Sequence, residues 1–303
     1  MRTFCIAGLL LAFSLGLFAQ KATVVSPNRK ISIELFNAQN AENGEWYLKV
    51  NYSNQEQKCE VIPQIKLGLA RADQDFSNGL KFLKASKPLV IHEKYAAIHG
   101  KKSECSNQAN EVVVSFENQK KSKLNIIIRA YNDGVAFRYQ FPEKGGSFVV
   151  KDELTAYCMT DSTKRWLEKF NPANEGLYSS AKDGNVQQDW GYPALFNTPD
   201  KGCWYLIHEA DLDRNYCGTK LSNTADKSSY KLTFPDQWNG RGLGESKPTI
   251  TLPWKSPWRV VIIGSLADIV ESTLVDDVST PSVISKTDWI KPGVASWNYW
   301  SDN

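Results

Sequence analysis

The stretch LNIIIRAYNDGVAFRYQF, residues 124–141, carries the clearest secondary-structure signal in the chain. The Asn-Asp-Gly sequence at 132–134 tolerates the positive φ angles of a tight hairpin turn. After the turn, valine and aromatic residues alternate with Ala136, Arg138 and Gln140, which is the two-residue period of a strand. The stretch therefore predicts a β-hairpin. Its return strand should have one buried aromatic face and one face in water.

Similar short runs of β-branched and aromatic residues recur along the chain, separated by clusters of Asn, Gly, Asp, Pro and Ser. Examples are NEVVVSFE at 110–117, GCWYLIHEA at 202–210 and PWRVVIIG at 257–264. Helical signals are few, and SLADIVESTLV at 265–275 favours a short helix after the last strand. The sequence predicts an all-β fold, a large and mostly antiparallel β-sandwich.

Composition is that of a globular protein with a full core, because 42% of the 303 residues are hydrophobic and 23% are charged. The 36 basic and 33 acidic residues leave a formal charge of +3 and are scattered without a dominant basic block. Nucleic acid and anionic membranes attract concentrated positive charge, so neither is expected as a partner.

The first residues predict export. Arg2 precedes an apolar run at 4–18, which is shorter than the roughly 20 helical residues that cross a bilayer. Leu-Phe-Ala at 17–19 is a plausible cleavage site, so residues 1–19 are predicted to be a signal peptide. No later stretch reaches transmembrane length. We therefore expect a periplasmic or secreted protein without a membrane span.

Five cysteines follow the predicted signal peptide, and an odd number leaves at least one outside any intramolecular disulfide. Their spacing does not resemble a zinc site. Cys203 and Cys217 form a candidate disulfide, because the segments that contain them could be adjacent strands.

Motifs of nucleophilic or metal chemistry are missing from the sequence. His92, His99 and His208 lack metal-binding spacing, and there is neither a glycine-rich phosphate loop nor a G-x-S-x-G elbow. Each histidine is therefore predicted to be a surface or structural residue. Glycosidases use a carboxylate pair, but spacing alone does not select one from 33 acidic residues.

Glu209 has the most suggestive position among the carboxylates. It follows the apolar run CWYLIH, at the end of a predicted buried strand, where a carboxylate needs a partner. An arginine or backbone donors would give it a structural role. A cation or a sugar hydroxyl would give it a functional one.

Nine of the ten tryptophans lie after residue 160. Flat aromatic faces stack on sugar rings, although sandwich cores also contain many tryptophans. Most are predicted to lie in the core. Trp190, Trp238 and the terminal Trp289, Trp297 and Trp300 are candidates for contact with carbohydrate.

Longer blocks of sequence carry a family resemblance. They are SPNRKISIEL (26–35), RAYNDGVAFRYQFP (129–142), GYPALF (191–196), WYLIHEADLDRNYCG (204–218), PWRVVIIG (257–264), IVESTLV (269–275) and DWIKPGVASWNYWSD (288–302). In this order they resemble the amino-terminal part of glycoside hydrolase family 97, which comprises exported bacterial α-glucosidases and α-galactosidases. The resemblance covers essentially the whole chain after the predicted signal peptide.

The resemblance implies a three-part enzyme: an amino-terminal β-super-sandwich of the galactose-mutarotase type, a (β/α)8 barrel and a small carboxy-terminal β domain. We expect the sandwich at 20–276, and a linker with the first barrel strand, ASWNYW, at 277–303. A barrel needs about 250 residues, so the chain is expected to be truncated where the barrel begins. The family places its catalytic carboxylates on the barrel, and no catalytic residue is carried over to this sequence.

The resemblance also implies a metal-binding role for Glu209. Its place in HEADL matches a sandwich glutamate that helps barrel glutamates to bind calcium in the active site. Calcium takes about six to eight oxygen ligands, so the chain alone is expected to bind it poorly or not at all.

Two hypotheses for function follow from these features. The chain is either part of an exported α-glycosidase that acts on an α-linked oligosaccharide or galactoside and partners the missing barrel, or a free-standing module that binds carbohydrate or another protein. On its own it is expected to be inactive in the first case. An aldose mutarotase would need a His/Glu constellation, and none is convincing here.

Overall fold

The computed structural model describes residues 20–38, 43–53, 58–181, 184–198, 202–239, 242 and 244–296. The predicted signal peptide and residues 297–303, which contain most of the predicted barrel strand, lie outside the described residues. The strands are β1 (Gln20–Val25), β2 (Ile31–Asn37), β3 (Asn43–Gly44), β4 (Trp46–Ser53), β5 (Lys58–Lys66), β6 (Leu69–Arg71), β7 (Leu80–Ala85), β8 (Leu89–Ala96), β9 (Glu104–Glu117), β10 (Lys123–Tyr131), β11 (Gly134–Phe141), β12 (Ser147–Glu153), β13 (Ala156–Cys158), β14 (Lys164–Glu168), β15 (Tyr178–Ala181), β16 (Asp189–Trp190), β17 (Ala194–Thr198), β18 (Cys203–Ala210), β19 (Lys220–Ser222), β20 (Ser229–Thr233), β21 (Thr249–Thr251), β22 (Trp254–Lys255) and β23 (Trp258–Gly264). The helices are α1 (Leu266–Glu271) and α2 (Leu274–Asp277).

Two large antiparallel sheets form the body of the protein. One has eight strands in the order β1-β2-β4-β5-β13-β20-β19-β16, and the other has twelve, with the path β15-β14-β17-β18-β23-β11-β10-β9-β7-β3 and with β22 and β8 paired at its side. A third, three-stranded sheet has the order β21-β12-β6. This architecture confirms the predicted all-β antiparallel sandwich. No helix among the described residues is long and apolar enough to cross a membrane.

The predicted hairpin is β10 and β11, and its register ends with Tyr131 opposite Gly134. Only Asn132 and Asp133 lie between the strands, as expected for a tight turn, but neither residue adopts the positive φ that the sequence suggested. Gly134 does not adopt a positive φ, and its need for glycine is steric, because a Cβ atom there would lie 2.3 Å from the carbonyl oxygen of Val261 on β23. The hairpin is thereby packed closely against its neighbouring strand.

The main core lies between the two large sheets. From the hairpin it receives the predicted aromatic face, Val135, Phe137, Tyr139 and Phe141, all fully buried. The eight-stranded sheet contributes alternate residues, such as those of β2, whose burial pattern repeats every second position. The two-residue periodicity of the sequence therefore located the inner faces correctly.

The opposite face of β11 is only partly in water: Arg138 and Gln140 are half-buried, but the prediction was wrong for Ala136. Ala136 is completely buried in a second core cluster with Trp258, Ile269 and Leu274. Ile269 lies on α1 and Leu274 on α2, so the chain after β23 folds back over the outer face of the large sheet. The predicted helix at 265–275 is present as these two short helices.

Candidate functional site

Glu209 points into the sandwich because of its position on β18. Along this strand, Cys203, Tyr205 and Ile207 are buried, whereas the residues between them are half-buried, so Glu209 shares the inner face. Only 5% of its surface is exposed. Across the ladder it is opposite Arg259 of β23.

Three donors hold the Glu209 carboxylate. Arg259 Nη1 donates to Oε2 at 2.7 Å, and the hydroxyl of Thr219 donates to the same oxygen at 2.8 Å. The backbone N–H of Thr219 donates to Oε1 at 2.9 Å. The structural partners that the sequence left open are therefore an arginine and a threonine.

A second glutamate completes the arrangement. Glu153, at the end of β12, accepts from Arg259 Nε at 2.8 Å and from Nη2 at 2.6 Å, which is a bidentate pairing. The hydroxyl of Tyr216 donates to Glu153 Oε2 at 2.6 Å. Arg259 thus bridges two buried carboxylates, and we call Glu153, Arg259 and Glu209 the buried triad.

The electrostatics of the buried triad are unbalanced, because two carboxylates share one guanidinium. Burial raises the pKa of Glu209, and the charge of Arg259 and the bonds from Thr219 only partly oppose this. Burial disfavours the charged form of Arg259, but Glu153 and Glu209 outweigh it and raise the pKa well above the ordinary value. The guanidinium of Arg259 therefore stays charged. Glu209 is the carboxylate whose negative charge is less fully compensated.

The Oε1 atom of Glu209 is the carboxylate oxygen with fewer hydrogen bonds. That oxygen accepts a single hydrogen bond, whereas Oε2 accepts two. Gly218 lies beside it, and a Cβ at that position would be only 3.2 Å from Oε1. Carboxylate oxygen suits calcium, so this residue fits as one ligand. Within the described ranges, no group of three His, Cys, Asp or Glu side chains could hold a metal ion, so further ligands would have to come from elsewhere.

Comparison with known families decides the relationship of the chain. Residues 24–281 match the family described as glycosyl-hydrolase 97 N-terminal. The chain belongs to this family. The resemblance inferred from the sequence blocks is therefore confirmed for the sandwich, and we refer to the protein as a family 97 N-terminal domain.

Curated relatives are longer than this family 97 N-terminal domain. A probable retaining α-galactosidase of Streptomyces bingchenggensis is 29% identical over 240 residues, which are 79% of this chain and 36% of the relative. A retaining α-galactosidase of Bacteroides thetaiotaomicron is 26% identical over 66% of the chain and 33% of the relative. The chain spans about a third of the length of these two proteins.

Solved structures show the same fold. A β-arabinopyranosidase superposes with a TM-score of 0.73 at 27% identity, over 86% of this chain and 43% of that one. A family 97 enzyme of Pseudoalteromonas sp. strain K8 in complex with acarbose gives a TM-score of 0.75 at 22% identity, over 90% of this chain and 40% of that one. At 22% identity the second match supports the fold alone.

The candidate tryptophans of the family 97 domain divide into different environments. Trp190 is only 4% exposed, and its Nε1 donates to Asn223 Oδ1 at 3.0 Å, so its assignment as a surface candidate was wrong. Trp238 is 83% exposed and Trp289 is 73% exposed, as predicted. Trp297 and Trp300 lie outside the described residues.

The candidate disulfide is absent, because Cys217 carries a free thiol. Burial raises the pKa of this thiol to about 11. Cys203 is on β18, whereas Cys217 lies in the loop that follows, so the two are not on adjacent strands.

The histidines occupy surface or structural positions, as predicted. His92 and His99 are exposed. His208 stacks on Tyr192 with ring centroids 5.8 Å apart, and burial lowers the pKa of its imidazole.

Sequence reasoning singled out one member of the buried triad and missed two. Arg259 had a detectable signal, since it is the only charged residue in the apolar run WRVVIIG. A lone base in one buried strand and a lone acid in another, as with Glu209, suggest a pair. Glu153 had no such signal, because it follows Lys151 and Asp152 in a polar strand end.

Proposed function

We propose that this family 97 N-terminal domain belongs to an exported α-glycosidase and that it supplies Glu209 to a calcium site shared with a catalytic barrel. The observation that carries the proposal is the unbalanced buried triad. Two carboxylates share one guanidinium, and Oε1 of the less compensated one accepts a single hydrogen bond and lies beside Gly218, which has no side chain. A cation at that oxygen would offset buried negative charge that is costly to leave uncompensated.

The residues around Glu209 have distinct parts in this proposal. Arg259 and Thr219 fix the carboxylate, so little conformational freedom is lost when a ligand arrives. Gly218 keeps the approach to Oε1 free of a side chain. Calcium, when bound, would supply a fixed positive charge to the active site.

The substrate class that we propose is the α-galactosides, cleaved with retention of configuration. It rests on the two curated relatives, both named as retaining α-galactosidases. Hydrolysis of α-glucosides is the alternative within the same family. Export is proposed on the predicted signal peptide at 1–19.

Taken alone, residues 1–303 should not hydrolyse glycosides. Glu153 and Glu209 form a pair of buried carboxylates, but both are bound by Arg259 and shielded from a sugar. A general acid must reach the glycosidic oxygen within hydrogen-bond distance. We expect no turnover of aryl α-galactosides or aryl α-glucosides by the purified chain. Turnover that disappears on replacement of one of its own carboxylates would contradict the proposal.

The decisive experiment begins by sequencing the coding DNA for roughly 1,200 nucleotides beyond the codon of Asn303. This length is enough for a barrel and a small terminal domain. If a barrel follows, the complete enzyme is expressed with Glu209→Gln, and activity is titrated with calcium. The calcium concentration for half-maximal activity should rise about tenfold, as expected for loss of one charged ligand.

Glu93→Gln is the matched control, because Glu93 pairs with Arg129 on the outer face, away from the triad. It should leave the calcium titration unchanged. An unchanged titration in Glu209→Gln would remove the metal assignment. Absence of any barrel downstream would remove the glycosidase proposal.

A further inference from the structure

Trp238 lies in the loop between β20 and β21 and exposes most of its indole. An exposed tryptophan loses the stabilisation that burial of its apolar surface would give. Singly exposed apolar residues are common, so exposure alone assigns no role. The loop and the surface beside it supply the further evidence.

The loop is held in place on both sides of the indole. Asp236 and Asn239 exchange two hydrogen bonds of 2.9 Å, each backbone N–H donating to the other side chain. Lys220 donates to Asn239 Oδ1 at 3.4 Å and pairs with Asp189 at 2.7 Å. Trp238 therefore lies on an anchored turn, so less conformational entropy is lost when a ligand binds.

A groove of about 530 Å³ lies beside Trp238, and its lining includes the preceding residue, Gln237. Its lining comprises Lys151, Asp152, Ser246, Lys247 and the loop residues 233–237. The two lysines are balanced by Asp152 and Asp236, so the groove has no dominant charge. It offers carboxylates, an amide and ammonium groups, which are donors and acceptors for hydroxyl groups.

We propose that Trp238 and this groove form a carbohydrate-binding site for a neutral polysaccharide. The indole would stack on the apolar face of a pyranose ring, and the groove would bind the hydroxyl groups of neighbouring sugars. A protein partner fits less well, because the centres of protein interfaces are depleted of charged residues and Trp238 has charged neighbours. The inference rests on the proposed function only for the choice of galactomannan as first probe.

The test is affinity electrophoresis of the purified chain in gels that contain galactomannan, glycogen or, as a charged comparison, polygalacturonate. At least one neutral polysaccharide should retard the chain. Trp238→Ala should weaken that retardation about tenfold, the size expected for loss of one stacking contact. Asn239→Ala, which keeps the indole but loosens its turn, should fall in between.

Leu177→Ala is the control, since this apolar side chain is 93% exposed, directly precedes β15 and does not line the groove. It should migrate like the unmodified chain, and far-UV circular dichroism should show that all variants are folded. The inference is refuted if no neutral polysaccharide retards the chain, if Trp238→Ala migrates unchanged, or if polygalacturonate retards it most.

The assay needs no catalytic barrel, and its failure is therefore separable from failure of the proposed function. A chain that binds no polysaccharide, in a gene that encodes a calcium-dependent α-glycosidase, would refute the carbohydrate site alone. Binding through Trp238 without any barrel downstream would refute the glycosidase proposal alone.

Discussion

Two arginines of this sandwich each lie between two glutamates, and they differ in burial. Arg259 is completely buried and meets Glu153 and Glu209 through three nitrogen atoms. Arg129, on the outer face of the large sheet, donates to Glu111 at 2.7 Å and to Glu93 at 2.9 Å, and its side chain is 15% exposed. The same set of charges therefore occurs once without water and once near it.

The difference determines what each cluster can do. The side chains of Arg129, Glu93 and Glu111 are 14–18% exposed, so water and salt screen their pairs more than those of the buried triad, and each pair should contribute less to stability. Inside the core, the charges interact strongly, but each lost its hydration on folding, and removal of one partner leaves another unpaired. The inner cluster should thus be sensitive to loss of its shared cation, whereas the outer one should tolerate that loss better.

The largest effect is expected for Arg259→Met, which keeps an apolar stem and removes the shared cation. Two buried carboxylates would then face each other, and the free energy of unfolding should fall by about 3–5 kcal/mol. Urea unfolding monitored by tryptophan fluorescence measures this. If Arg259→Met does not fold, Arg259→Lys should fold and show a smaller loss, because it keeps the charge without the bidentate geometry.

Arg129→Met is the matched control on the outer face. It should cost about 1 kcal/mol, and added salt should reduce the difference from the unmodified chain. Equal losses for Arg259→Met and Arg129→Met would show that burial does not separate the two clusters.

Within the buried triad, Glu153→Gln should cost more than Glu209→Gln. Glu153 accepts two bonds from Arg259, one from Tyr216 and one from Thr155, and we expect a loss of about 2–3 kcal/mol. Glu209 accepts one bond from Arg259 and carries the excess charge, so its substitution should cost about 1 kcal/mol. Equilibrium unfolding of both variants at one pH provides the ranking, and the reverse order would contradict the assignment of the excess acid to Glu209.

The smallest effect concerns pH. Burial raises the pKa of Glu209 above its ordinary value of 4.5, so the folded protein binds this proton more readily than the unfolded chain. Stability from this group is complete below the unfolded pKa and is lost as the pH rises through the folded pKa. The stability difference between the unmodified chain and Glu209→Gln should therefore shrink as the pH rises from 4.5. A difference that grows with pH would mean that Arg259 outweighs burial.

Local signals in the sequence were sufficient for the fold. The alternation around 132–134 predicted the hairpin and its inner face because strand periodicity and turn chemistry are properties of neighbouring residues. The helix prediction at 265–275 located the covering segment, but not the surface that it covers. Ala136 was consequently assigned to water, although α1 and α2 return to bury it.

The candidate site depended more on distant contacts. Glu209 was identified by its place in an apolar strand and by family resemblance, whereas Trp190 was misassigned because its partner Asn223 is 33 residues away. Glu153 was missed because nothing near it indicates that Arg259, 106 residues later, will neutralise it. Such pairings become visible only when the strands are in place.

The sequence separation within the buried triad has a consequence for folding. Arg259 is 106 residues from Glu153 and 50 from Glu209, so three distant segments must meet before its charge is compensated. Sandwiches dominated by such contacts fold slowly. A slip of β18 by one residue would turn Glu209 to the outer face and leave Arg259 with one carboxylate instead of two. We expect the triad to assemble late in folding. Misaligned strands would lose one of its ion pairs and be less stable, so the triad favours the native strand register.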